Sequence, residues 1–145
     1  TLIRIILGIT KQTKGNIKNN SSHGITYLGH KNAIKNYLTL EDNILLMELN
    51  DKEELNKYIE ILNLRKYMDV IAANLSFGQQ KKLALLRIFL NNSDLIILDE
   101  PFVGLDIETQ DILSEFLNNQ LKMNKSIIYT SHISCQIESK ILKIN

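Results

Sequence analysis

Residues 95–101 read Leu-Ile-Ile-Leu-Asp-Glu-Pro, and no other stretch limits the possible folds of this chain so strongly. An apolar run of this length suits a strand buried on both faces of a parallel sheet, and it ends abruptly in two carboxylates, Asp99 and Glu100. Pro101 then stops the ladder, because proline has no backbone N–H to give. In an open α/β sheet, ligands bind beyond the carboxyl ends of the strands, which would place both carboxylates in a crevice facing a substrate. Taken alone, the same residues also fit a buried strand followed by an acidic turn.

The rest of the chain is long enough to support such a sheet. Its 145 residues, 44% hydrophobic and 23% charged, suffice for one domain with a real core. A formal net charge of +1, with Lys and Arg scattered through helical stretches, gives no electrostatic footprint of a dedicated nucleic-acid binder. It gives none of a membrane-surface binder either. The apolar runs are too short to span a bilayer, so any membrane link is expected to come through a partner. Cys135 is the single cysteine, which excludes an intramolecular disulfide and favours a reducing compartment.

In chain order, residues 2–7 predict an apolar helix that Gly8 terminates. The chain starts at Thr1 with this helix already under way, so the opening reads as a cut. Residues 11–22, rich in Lys, Asn, Gly and Ser, predict a loop with a short edge strand around Ile17. A strand is expected at residues 25–28. Thr39 suits the N-cap of a helix running through Leu40, Ile44, Leu45 and Leu49, with Glu41 and Asp42 in its first turn. A second helix from Lys52 places Leu55, Ile59 and Leu62 on one face. These helices form an insertion between strands of the sheet.

Residues 74–90 predict a longer helix whose Leu83, Leu86 and Leu90 share a buried face. Ser76 precedes it and Gly78 lies at its entry, so a hydroxyl, free backbone N–H groups and the positive helix end converge as an anion site suited to phosphate. By itself the pattern is commonly only a cap. Beyond Pro101, Gly104-Leu105-Asp106 leads into a helix with Leu113, Phe116, Leu117 and Leu121 in a stripe; Asp106 alone could be only its N-cap. A buried strand over residues 126–130 ends in Ser131-His132. This histidine would share the crevice of Asp99 and Glu100, although a lone His there is more often a solvated loop residue. Residues 139–144 predict a closing edge strand.

Together, L-S-F-G-Q-Q before a helix, then L-I-I-L-D-E-P, then G-L-D, then T-S-H resemble the signature loop, Walker B strand, D-loop and H-loop of the ABC-type ATPases, in that order. The resemblance covers essentially the whole chain, because T-L-I-R-I-I-L-G is similar to the helix following a Walker A phosphate loop. Thr1 would lie one residue past the hydroxyl that holds Mg²⁺. It implies a P-loop NTPase-like α/β fold, a parallel sheet flanked by helices. Residues 1–145 would form a partial ABC ATPase domain, with a helical subdomain over about 33–92 and the N-terminal part of the fold missing. Two stretches, residues 27–43 and 75–87, further resemble the ATP-binding subunits of the haem exporters used in bacterial c-type cytochrome maturation. Those subunits also place Gly-His where most ABC ATPases have Gln, here Gly29-His30, and follow Gln-Gln with two basic residues.

This resemblance assigns roles residue by residue. Asp99 would hold Mg²⁺ through a water, Glu100 would polarise the water that attacks the γ-phosphate of ATP, and His132 would hold that phosphate or water in line. Ser76, Gly78 and Gln79 would close on ATP bound to the opposite subunit of a head-to-tail homodimer, with Asp106 connecting the two composite sites. His30 would contact Mg²⁺ or the attacking water. Phe77 stands where the signature usually has a small residue, which alters loop packing. The implied setting is peripheral, on the cytoplasmic face of the bacterial inner membrane, against integral-membrane permease subunits. No G-x-x-x-x-G-K-[ST] occurs, so the main phosphate cradle is absent from these residues and the chain alone is expected to bind ATP poorly. Alternatives are an ATPase of another exporter (lipid, peptide or drug), a non-transport ABC protein acting on nucleic acid or ribosomes, or an inactive fragment that binds partners.

Overall fold

A computed structural model describes residues 2–18, 20, 22–133 and 136–141. Its centre is a parallel sheet of three strands in the order β1 (Ile25–Leu28), β2 (Leu95–Asp99), β3 (Ser126–Thr130). In β2, Ile96, Ile97 and Leu98 are buried, as an apolar run flanked by strands on both sides requires. Leu28 of β1 pairs with Leu98, and Asp99 pairs with Thr130 of β3, so all three strands point their carboxyl ends the same way.

The first helix, α1 (Leu2–Ile6), ends where Gly8 adopts φ +72 and the amide of Ile9 reaches back to the Arg4 carbonyl. Between β1 and β2 stand α2 (Leu40–Leu45), α3 (Lys52–Ile61) and α4 (Phe77–Phe89). Thr39 caps α2 through a reciprocal box with Asp42. The amides of Leu40 and Ala72 bond the carbonyls of Val70 and Leu38, closing the short 3₁₀ turns after α3 onto the start of α2. Between β2 and β3 runs α5 (Ile107–Lys122). Tyr58 of α3 stacks on Phe89 of α4 with ring centroids 4.5 Å apart, and Phe116 of α5 meets Phe89 edge-on at 4.8 Å. This aromatic stack joins the inserted helices to the helix flanking the sheet, and apolar surface from all three enters one core.

Four expectations are corrected. Ile17 is exposed and in no strand. The helix α2 stops at Leu45 rather than running through Leu49, and Glu48 beyond it takes φ +50; Leu40 and Ile44 enter the core and Leu49 packs against it, but Leu45 is exposed. Strand β3 is not buried but alternates between exposed and half-buried, as on an edge strand covered chiefly by α5. Residues 139–141 are not in a strand, and Ile141 is almost fully exposed; the rest of the closing strand expected there lies outside the described residues.

Candidate active site

The carboxyl end of β2 is assembled mostly through backbone. Glu100 has φ +49, a left-handed conformation that costs a non-glycine residue roughly 1–2 kcal/mol and persists only where its surroundings hold it. The Glu100 amide donates to both the carbonyl (3.2 Å) and the hydroxyl (3.0 Å) oxygens of Thr130. The Glu100 carbonyl accepts from Nζ of Lys81 at 3.0 Å. Pinned at both ends, the residue turns its carboxylate toward His132, whose amide donates to Oε2 (3.2 Å) and whose Nε2 lies 3.4 Å from Oε1. Asp99 accepts one bond, from the Thr130 hydroxyl at 2.7 Å. Asp99, Glu100 and His132 are thus brought to one place. His30 follows β1 by two residues and is exposed, and no hydrogen bond among the described residues joins it to either carboxylate.

A second cluster forms at the start of α4. Ser76 and Gln79 make a capping box: Oγ accepts from the Gln79 amide at 3.2 Å, and Oε1 of Gln79 accepts from the Ser76 amide at 2.7 Å. Among the described residues the first-turn amides of Phe77 and Gly78, at the positive end of the helix, are given no such partner. A Cβ on Gly78 would lie 2.6 Å from the Gly104 carbonyl oxygen, so glycine is required for the two loops to meet. Gly104 itself sits at φ +81 beneath the ring of Phe77. Asp106 caps α5 by accepting from the Thr109 amide, and it binds Nζ of Lys82 at 2.7 Å. That ammonium, followed by the bonds from Thr109, holds the Asp106 carboxyl down at about 2. Ser76, Gly78, Gln79, Lys82, Gly104 and Asp106 line one side of a cleft of about 420 Å³. The two clusters share α4: Lys81 reaches the strand end and Lys82 reaches the turn after it.

The family profile described as "ABC transporter" matches residues 1–103. The chain belongs to the ABC transporter family. Among curated relatives, it is 30% identical to the cytochrome c biogenesis ATP-binding export protein CcmA of Pasteurella multocida, over 99% of this chain and 73% of the relative. It is 31% identical to the CcmA of Gluconobacter oxydans, over 96% of this chain and 65% of the relative. Among solved structures, it superposes on an ATP-binding subunit of an ABC transporter with TM-score 0.77 and 24% identity, covering 91% of this chain and 62% of that one. A dimeric ATP-binding cassette bound to ADP and Pi matches with TM-score 0.69 and 23% identity, over 91% of this chain and 68% of that one. The chain therefore spans less than two thirds of some of the proteins it matches. The superpositions establish the fold as that of an ABC ATPase, a parallel sheet flanked by helices with a helical subdomain.

Nucleotide binding in this family involves phosphates and a divalent cation, and the donor set here fits such a group. The side-chain oxygens at the strand end are hard donors, and among the described residues Oδ2 of Asp99 takes no hydrogen bond, Oδ1 accepting from Thr130. Carboxylate oxygens of this kind would suit a hard cation such as Mg²⁺.

Two residues escaped the sequence analysis. Thr130 fastens Asp99 and Glu100 together, and its only signal was its position just before Ser131-His132 at the end of a parallel strand. Lys81 carried a clearer sign: with Ala84, Leu85 and Ile88 it occupies one helical face at i, i+3, i+4 and i+7, and all four are buried. A cation on an apolar stripe implies a buried partner.

Proposed function

We propose that this chain supplies catalytic elements of an ABC-type ATPase subunit that energises haem export for c-type cytochrome maturation. The reading is carried by Glu100, whose carboxylate is directed from a strained, doubly pinned backbone onto His132 beside Asp99. Glu100 accepts the proton of the attacking water, and His132 holds the water or the transferring phosphoryl group in line. Asp99 would hold Mg²⁺, which when bound would neutralise charge on the phosphates. Ser76, Gly78 and Gln79, presenting the first-turn amides of α4, receive the γ-phosphate of ATP held by a second copy, and Asp106 connects the two sites. His30 senses nucleotide from the end of β1. Residues of about 33–92 act as the helical subdomain, and the remainder as the sheet core.

The export substrate rests on the likeness to the CcmA proteins, whose names describe cytochrome c biogenesis and export. No described helix is long and apolar enough to cross a membrane, so transport in this reading needs integral-membrane partners. The 145 residues hold no phosphate-loop sequence, and by themselves they are expected to bind ATP weakly in a calorimetric titration.

The test is Glu100→Gln in the full-length subunit. Hydrolysis is expected to be abolished while ATP is retained and the dimer accumulates on size exclusion; normal turnover would remove Glu100 from the mechanism. Loss of the subunit should eliminate holo c-type cytochromes from the cell, and an unchanged cytochrome complement would refute the haem assignment.

A further inference from the structure

The Glu100 carbonyl poses a problem for any chain built this way. Glu100 leaves the sheet in a left-handed turn, and the next residue is Pro101, which has no N–H to extend the ladder. A carbonyl at such a strand end needs a donor from elsewhere. The donor is Lys81, only 1% exposed, whose side chain crosses from the first turns of α4 to bond this oxygen at 3.0 Å. Burying an ammonium is costly without strong compensation, so an apolar residue would fill this position more simply if packing were its only task. The desolvation is evident in the proton affinity of Lys81, which is pulled below the usual lysine range despite the opposing charges of Asp99 and Glu100. Yet Lys81 forms an ion pair with neither carboxylate; its directed bond is to the backbone.

We infer that Lys81 is a positioning residue for the Glu100 carboxylate, holding the Glu100–Pro101 peptide so that the side chain is aimed at His132. The inference rests on the reading of Glu100 as the base. Thr130 fixes the amide side of Glu100, and Lys81 fixes the carbonyl side. Without the second anchor, the residue is free to relax out of its left-handed conformation and swing the carboxylate away from the reacting water. Because Lys81 lies five residues after Ser76 on the same helix, the bond also makes the setting of Glu100 depend on where α4 sits against the sheet.

The test compares Lys81→Met and Lys81→Arg in the full-length subunit, with two readouts. Lys81→Met removes the donor and retains the apolar stem, so kcat should fall on the order of 10- to 100-fold with KM and ATP affinity unchanged, and Lys81→Arg should restore part of it. Independently of turnover, labelling with carbonyl-¹³C glutamate and ¹⁵N proline marks the Glu100–Pro101 peptide, the one Glu-Pro pair of these 145 residues, and its resonance in the full-length subunit is assigned as the one lost in Glu100→Gln. The carbonyl resonance should shift in Lys81→Met and return toward its original position in Lys81→Arg. An unmoved resonance, or a kcat loss matched by equal losses of ATP affinity and thermal midpoint, overturns the inference. If Lys81→Met does not fold, Lys81→Gln, whose shorter neutral side chain cannot place a donor where the ammonium sits, is read in its place: a carbonyl resonance left at the wild-type position counts against the contact. Undiminished hydrolysis in Glu100→Gln would instead sink the assignment of the base, leaving the carbonyl measurement to report on the contact alone.

Discussion

The two ends of β2 both carry a carboxylate, and they have opposite fates. At the amino end, Asp94 accepts from the amide and hydroxyl of Ser22 and from the amide of His23, each at 3.0 Å, with Nδ1 of His23 at 3.1 Å. The His23 amide is the foremost of several bonds that hold its carboxyl down at about 2. Asp94 is saturated by its neighbours and works as a staple, tying the segment before β1 to the start of β2 where Ile25 pairs with Leu95. At the carboxyl end, the Glu100 backbone is held on both sides, its amide donating to Thr130 and its carbonyl accepting from Lys81, while among the described residues Asp99 accepts one bond, from the Thr130 hydroxyl. Equivalent chemistry on one strand becomes a structural tie or is left open according to how many of the surrounding donors the carboxylate takes up.

This contrast is sharpest if each end is disabled in turn. Asp99→Asn in the full-length subunit should reduce ATP hydrolysis on the order of 100-fold or more, the scale of removing one element of a preorganised electrostatic site, while thermal unfolding changes little. Next comes Thr130→Val, which takes away the hydroxyl shared by Asp99 and Glu100. Turnover should fall on the order of 10-fold, and urea unfolding should show a loss of about 1 kcal/mol; an unchanged rate would mean the fastening is dispensable.

A smaller effect is expected at Asp106, where Ala removes the cap of α5 and the partner of Lys82, costing about 1 kcal/mol in chemical denaturation at neutral pH. Its folded carboxyl, held at about 2 by Lys82, lies below the ordinary 3.8. The contribution is therefore present above about pH 4 and lost as pH falls through about 2, so the stability gap between wild type and Asp106→Ala should narrow over that window. The smallest change is Asp94→Asn. Hydrolysis should be untouched, and only the acid limb of stability should flatten, because Asp94 too is depressed from 3.8 to about 2 and its contribution disappears on acidification between those values. A catalytic defect in Asp94→Asn would erase the distinction between the ends.

Much of the scaffold was legible because its elements announce themselves locally. The run of residues 95–98 ended by two carboxylates and Pro101, the Ser76 cap before an amphipathic stretch, and Asp106 before the Leu113–Leu117 stripe each carry their own boundaries, and β2, α4 and α5 lie where these signals put them. The failures occurred where burial depends on what stands alongside. The Ile127 and Ile128 pair reads as core, but only one strand borders β3 among the described residues, so it alternates as an edge. Leu45 was grouped with Leu40 and Ile44, yet only the latter two are covered among the described residues and Leu45 is left exposed.

By itself, the sequence determined the order of motifs, the polarity of the strand end that bears Asp99 and Glu100, and the helix starts at Ser76 and Asp106, all set by residues within a few positions of each other. Tertiary structure decided which carboxylate is spent and which is presented. The bonds that make this choice join Ser22 to Asp94 across 72 positions, Thr130 to Asp99 across 31 and Lys81 to Glu100 across 19. The partners in contacts that distant are not named by local sequence, because the contacts exist only once folding has brought the helix and the strands together.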